Sequence, residues 1–433
     1  MIQETEYVTN INGYSLHVIP TKKFKTIHLV AKFKAPLDRN DITIRALIPY
    51  LLVQGTMNNP SRKVLEEKLD DLYGAILTAD SSKKGNEHII SIRLDMANEK
   101  YVKSTTFFQD ALRLFSDILF NPHIINHAFP KDIFQREKTT LRNRIQSVID
   151  DKMAYANLRL IEEMCADERY RMPAHGFSED LNRLTSQAVY QYYLEMLMKD
   201  RLDIYVLGDV HKDEIVNHFS RLLSRETIIE NNCHNHNKTI EDRVITTVKE
   251  KTCTEYHDVQ QAKLHMGYRT FITYKDELYP ALQVFNGLFG AFPSSKLFIN
   301  VREKNSLAYY AASRIESHKG LLFVFSGIAP EDYLPARTII NEQLQALQEG
   351  DFTESDIEKT KNLIMNQLKE TFDHPQGIIE MLYQQVVGRT KLSPQKLLES
   401  IQQVTKTDVI RVAKSIQLDT VYLLTKEGIE TDA

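Results

Sequence analysis

Cysteine is scarce in this sequence. The 433 residues hold three, Cys165, Cys233 and Cys253. They are odd in number and far apart, which excludes a disulfide framework and fits a reducing compartment. No apolar run approaches the roughly 20 residues that span a bilayer, so no membrane role is expected. The opening residues, MIQETEYVTNINGY, have no basic stretch followed by an apolar core. A secretory signal is therefore not expected, and the cytoplasm is the default location. Positive charge is not in excess either. A net charge of −4 and a pI near 6.4 give no electrostatic reason to expect nucleic acid. There is no G-x-S-x-G elbow, Walker loop or dinucleotide fingerprint. GLFGAF, residues 287–292, reads as two glycines in a loop.

What is present is an ordinary globular balance, 42% apolar and 26% charged, in a chain long enough for about two to four domains. Asn12-Gly13 between two β-prone runs predicts a hairpin. TIHLVAKFK alternates, with Ile27, Leu29, Ala31 and Phe33 on one face and His28, Val30, Lys32 and Lys34 largely on the other. Asp41 or Thr43 is placed to cap the helix that follows. A second helix ends near Gly74, HIISIRLDM is a strand, and an amphipathic helix stops at Asn121-Pro122. One long helical region is expected from about Pro130 to Asp167, and then the buried-looking strand LDIYVLGD. Residues 223–243 are polar and rich in Asn and Thr, as a linker would be.

Beyond that stretch the same order of elements returns. LDTVYLLTKEG echoes LDIYVLGDV, and SDIEKTKNLIMNQL echoes KDIFQREKTTLRNRI. Two echoes at similar offset argue for a duplicated unit. The expected division is 1–222, a linker over 223–250, and 251–433. The expected class is α+β, with two homologous halves that each pack helices on a mostly antiparallel sheet.

Several groups tempt a metal reading. His123 and His127 are four apart, but Pro122 and Pro130 flank them, which favours a loop. Cys233, His234, His236, Cys253 and His257 suit zinc by type, yet their spacing matches no recurrent motif. The carboxylate pairs Asp70-Asp71, Asp150-Asp151 and Glu162-Glu163 point about 100° apart on a helix, so none makes a two-carboxylate site by itself.

The most specific stretch is SSKLFINVREKNSLAYYAASR, residues 294–314. Its Arg302-Glu303-Lys304-Asn305-Ser306-Leu307-Ala308-Tyr309 closely resembles the R-E-K-x-G-L-A-Y signature of pitrilysin/insulinase-type peptidases, with Ser306 at the usual Gly. That group includes the mitochondrial processing peptidase and the core subunits of respiratory complex III. DVQQAKLHMGYR, the opening hairpin, Gln54-Gly55-Thr56 and the two-half layout also fit. The resemblance spans nearly the whole chain and implies half of a clam-shell built as in the processing peptidases. IDDKMAYANLRLIEEMC most resembles inactive members from Gram-positive bacteria, some of them tied to the aminopentanol modification of elongation factor P.

In active members an inverted H-x-x-E-H motif precedes the Gly-Thr, with two His on zinc and the Glu activating water. Here that region is RALIPYLLVQGTMNNP, residues 45–60, with no His, Glu, Cys or Asp between Ile42 and Gly55. Counting back from Gly55-Thr56 puts Ala46 and Tyr50 at the His positions and Pro49 at the Glu position. The third ligand, a Glu in active members, falls at Asn143 or Arg144. Pro49 is expected to bend the helix away from the straight form of the family.

The resemblance therefore implies a chain with no metal cofactor and no peptidase activity of its own. The carboxy-terminal pair is kept. By resemblance, Arg302 and Tyr309 contact a substrate backbone, or persist as relics. A non-catalytic subunit follows, paired with an active homologue as a heterodimer and holding a peptide or protein substrate. Two alternatives stand beside it: a peptidase with a metal displaced to the Cys233–His257 cluster, and a homodimeric scaffold that binds no peptide.

Overall fold

The structure is a computed structural model that describes residues 5–102, 106–224 and 248–428. The described chain divides into two units. One contains residues 5–147 with 172–224, and the other contains 148–171 with 248–428.

The first unit is built on a six-stranded sheet of order β1-β2-β6-β3-β5-β4. β1 (Tyr7–Ile11) and β2 (Tyr14–Pro20) form the expected hairpin. Asn12 and Gly13 both take positive φ, 48° and 82°, which matches the right-handed twist of a two-residue turn. β3 (Thr26–Pro36) pairs antiparallel with β6 (Arg201–Gly208) and with β5 (Glu87–Ala97). Ile27, Leu29, Ala31 and Phe33 are buried as expected, but so are His28, Val30 and Lys32. His28 bonds Asp95 at 2.6 Å and Lys32 reaches Ser91, so the polar face is satisfied within the sheet. β4 (Ile76–Lys84) is the edge strand, and its polar sequence, ILTADSSKK, carries no apolar signal.

α1 (Ile42–Leu52) packs on β4 and β5, and all eleven of its residues are buried. It continues as helix through Pro49. Proline removes one backbone donor, but burial all round the helix holds the remaining turns in place. Neither expected cap operates. Asp41 makes no side-chain cap, and Thr43 lies inside the helix with its hydroxyl on Asp180. α2 (Arg62–Asp71) is capped by Ser61, and α3 (Phe107–Phe120) ends at Asn121. The single helix expected over 130–167 is two: α4 (Lys131–Asp150) and α5 (Lys152–Met164). Asp151 accepts from the backbone N–H groups of Met153 and Ala154 and so starts a new helix. Ser186–Lys199 is a further helix that periodicity alone did not reveal.

The second unit has a five-stranded sheet of order β7-β11-β8-β10-β9. Its strands are β7 (Lys251–Tyr256), β8 (Ala262–Arg269), β9 (Ala308–Glu316), β10 (Leu321–Ile328) and β11 (Gln417–Thr425). The pairing repeats that of the first sheet. β11 is parallel to β7 as β6 is to β2, and the other pairs are antiparallel in the same order. β7 is a short, polar edge strand and, like β4, gives little signal. GLFGAF is not a loop. Gly287–Ala291 continues the helix Tyr279–Asn286 as a π-helical turn. A Cβ at Gly290 would lie 2.7 Å from the Ser313 backbone nitrogen, so the close approach to β9 requires glycine.

α5 belongs to this second unit. Its Ala156, Leu160, Ile161 and Met164 pack with Phe323, Phe325, Tyr422 and Leu424. Room for it comes partly from Gly267, where a Cβ would lie 2.5 Å from the Met164 sulfur. Ion pairs fasten the segment. Arg159 meets Glu255 at 2.6 Å, and buried Arg269 bridges Glu168 at 2.7 Å and Asp419 at 2.8 Å. The expected linker lies largely outside the described residues.

Candidate functional site

Two sets of residues bear on function, one in each unit. In the first unit the set begins with α1. Its first turn carries Arg45, a residue that sequence pattern did not single out. Arg45 is 1% exposed. A charge so deeply buried needs partners on every side. Its Nη1 donates to Asp200 at 2.7 Å, and its Nε donates to His88 Nδ1 at 3.2 Å. His88 Nε2 in turn donates to the Ala174 carbonyl at 3.0 Å. This chain of bonds defines a neutral His88. Burial and the adjacent guanidinium push its pKa down to about 3. Burial opposes the charge of Arg45, and Asp200 more than offsets this, so Arg45 stays protonated. The network anchors α1 to β5.

From the next residue on come the positions that the family resemblance assigns to zinc binding and water activation. Ala46 and Pro49 are buried and offer no donor. Tyr50 is 5% exposed. The guanidinium carbon of Arg144, on α4, sits 4.0 Å from the centroid of the Tyr50 ring. That is a close cation–π contact. Asn143, the neighbouring residue, is exposed, and Arg144 is the residue that α4 brings to α1. Burial raises the Tyr50 phenol above its ordinary pKa. Ser81 and Arg144 lie close enough to counter this in part, yet neither completes a hydrogen bond to the hydroxyl. His175 is also nearby, and burial, then the charge of Arg144, holds its pKa below the ordinary value.

This donor set does not fit zinc. By the family resemblance, two imidazoles and one carboxylate would bind the metal and a second carboxylate would activate water, whereas Ala46, Tyr50, Pro49 and Asn143 or Arg144 offer a methyl group, a phenol, a pyrrolidine ring and an amide or guanidinium. The fixed positive charge of Arg144 adds repulsion toward any divalent cation. Among the described residues no group of three or more His, Cys, Asp and Glu could hold a metal ion.

The other metal candidates remain apart. His123 and His127 lie in a non-helical segment, with His127 at positive φ and exposed. Cys233, His234 and His236 fall outside the described residues. Cys253 lies on β7, 3.6 Å from Glu163, and burial together with that carboxylate raises its thiol pKa, away from the thiolate a metal needs. His257 Nδ1 is 3.4 Å from the Lys152 ammonium.

In the second unit, Arg302 sits on the π-helical turn Phe298–Lys304, its guanidinium carbon 4.6 Å from the Phe298 ring centroid. Tyr309 is 71% exposed on β9, the edge of the sheet. Ser306 between them has φ +52°, the left-handed conformation that glycine adopts without cost. Both side chains are accessible to a ligand.

Comparison with known proteins bears on these sites. A family model described as "Peptidase M16 inactive domain" matches residues 183–364. The probable inactive metalloprotease YmfF of Bacillus subtilis (strain 168) is 46% identical over 417 residues, 95% of this chain and 96% of that protein. A conserved protein from Enterococcus faecalis V583, of known crystal structure, superposes with a TM-score of 0.87 at 34% identity and covers 99% of this chain and 100% of that one. A protease from Helicobacter pylori has the same fold, with a TM-score of 0.81 at 17% identity over 97% of this chain and 99% of that one. Among the described residues, no helix is long and apolar enough to cross a membrane.

Proposed function

This chain belongs to the peptidase M16 family, among its inactive members, and on that premise we propose that it serves as a non-catalytic subunit that helps an active family member hold a peptide. The observation that carries this reading is the contrast between its two sites. The positions that would bind zinc hold Ala46, Pro49, Tyr50 and Arg144, with no metal-binding donor set. Arg302 and Tyr309, by contrast, remain on accessible surface. An Arg fork and an exposed phenol are suited to the carbonyls of an extended peptide, and neither group needs a metal to bind. Function here is argued from the sites, because the fold alone serves both peptidases and inactive relatives.

The active partner would bear an intact H-x-x-E-H motif. A cytoplasmic setting suits the few dispersed cysteines. Affinity purification of the full chain from its native cell tests the pairing. Recovery of a homologue with the intact motif is expected. Recovery of the chain alone, at the mass of its own dimer, would favour a scaffold of two identical chains instead. Loss of peptide binding in Arg302→Ala and Tyr309→Phe is the second expectation, and unchanged binding in both variants would remove those residues from the site.

A further inference from the structure

Three polar atoms around Arg144 are buried and have no hydrogen-bond partner among the described residues. They are the Tyr50 hydroxyl, the Ser81 hydroxyl and His175 Nδ1. Tyr50 and Ser81 are 5% and 6% exposed. Buried hydroxyls left unpaired cost free energy, and an isolated one is uncommon. Three beside one exposed guanidinium form a set of two unused hydroxyl donors and one unpaired ring nitrogen around a positive charge.

The elements explain the convergence. Ser81 lies on β4, whose alternation puts Leu77 and Ser81 on the buried face toward α1 and Asp80 on the exposed face. Tyr50 comes from α1 and Arg144 from α4, stacked at 4.0 Å. The stacking fixes the plane of the guanidinium over the ring. It leaves the edge of the fork, with its N–H groups, free to donate. The charges felt at the cluster are those of Arg144, of Asp80 acting from the other face of β4, and of His175 on protonation.

We propose that Tyr50, Ser81, Arg144 and His175 form a carboxylate-binding site, and that its ligand is a carboxylate of a peptide. A planar monoanion with two acceptor oxygens matches one Arg fork and two hydroxyl donors. A dianionic phosphate does not, since one fixed positive charge with Asp80 close by leaves it uncompensated. The naming of a peptide as the source rests on the peptide-holding reading above, whereas the carboxylate chemistry does not.

Calorimetric titration of the full chain separates the two. The probes are acetate, trialanine with a free carboxyl terminus, trialanine amide, acetyl-Ala-Glu-Ala-amide and inorganic phosphate. Acetate is expected to bind the parent chain, and at least one carboxylate-bearing peptide to bind more tightly. Trialanine amide should bind at least about tenfold more weakly than that peptide. Arg144→Ala should abolish carboxylate binding, Arg144→Lys should restore only part of it, and Tyr50→Phe, which keeps the ring, should weaken it about threefold or more. Tighter binding of the free-terminus peptide would identify a chain end, and tighter binding of the internal glutamate a side chain. Trialanine amide binding as tightly as both carboxylate-bearing peptides, or carboxylate binding unaffected in Arg144→Ala, would overturn the site. Phosphate binding more tightly than acetate would overturn the carboxylate assignment. Acetate binding that needs Arg144, with no gain from any peptide, would keep the site but overturn its peptide source.

Discussion

The guanidinium of Arg144 lies over the ring of Tyr50, 4.0 Å from its centroid, and joins α4 to α1. The contact ties a buried ring on one helix to an exposed cation on the other.

The first expectation is that zinc is absent and unnecessary. Elemental analysis of the purified chain should find no stoichiometric zinc, and a chelator should leave its Tm unchanged. Tyr50→His alone should not create a site, because affinity depends on the number and charge of ligands together. Stoichiometric zinc in the parent chain would overturn the reading of α1 as a helix without a metal.

A second expectation concerns the buried Arg45–Asp200 pair. Asp200→Asn or Arg45→Ala should cost about 3–5 kcal/mol, since each leaves a buried charge without its partner. Urea unfolding of the parent and variant chains measures this. Arg45→Met also leaves His88 Nδ1 without its donor, so its cost should be of the same size.

Acid should destabilise the chain in a defined window. His88 in the first unit, and His265 in the second, have folded pKa values pushed down to about 3, in each case mainly by burial. Their ordinary value is 6.5. Between these limits the unfolded chain binds the proton and the folded chain does not. Stability is therefore full above the ordinary histidine value and falls as pH drops, by about 1.4 kcal/mol per pH unit for each histidine. Glu168 adds to the loss at lower pH. Burial opposes its ionised form, but Arg269 and Lys319 hold its pKa below 4.5. Urea midpoints from pH 7 to pH 4 should show this trend, and His88→Gln should flatten it. A pH-independent midpoint would contradict the buried neutral state.

Ser306→Gly should stabilise the second unit by about 0.5–1 kcal/mol, because a side chain at φ +52° carries a strain that glycine lacks, partly offset by glycine's greater chain entropy. Ser306 is exposed, so no packing is lost. Ser306→Val should lower the Tm, since a β-branched residue resists that conformation most. A lower Tm for the glycine variant would contradict the assigned backbone.

Much of this was legible in the residues. Asn12-Gly13 dictates its hairpin through positive φ alone, which is local chemistry. The echo of LDIYVLGDV in LDTVYLLTKEG marks β6 and β11, and the five strands of the second sheet repeat the order of five in the first, with β1 as the extra strand. The loss of the imidazoles and the carboxylate from the motif is equally plain, because Ala46 and Pro49 have no side-chain donor atom and Tyr50 offers only a phenol, whatever the fold. The polar edge strands β4 and β7 escaped notice because strands that bury little apolar surface show little periodicity.

What the sequence by itself determined is therefore the repeated architecture and the absence of the zinc chemistry, both of which depend on residue type and local spacing. Tertiary structure alone decided that Arg144 meets Tyr50, that Arg45 is buried against Asp200 and His88, and that α5 leaves its sequence neighbours to pack on the second sheet. These contacts join residues far apart in the chain. Local periodicity reports which face of an element is apolar, but the partner on that face is chosen by the packing of the whole unit.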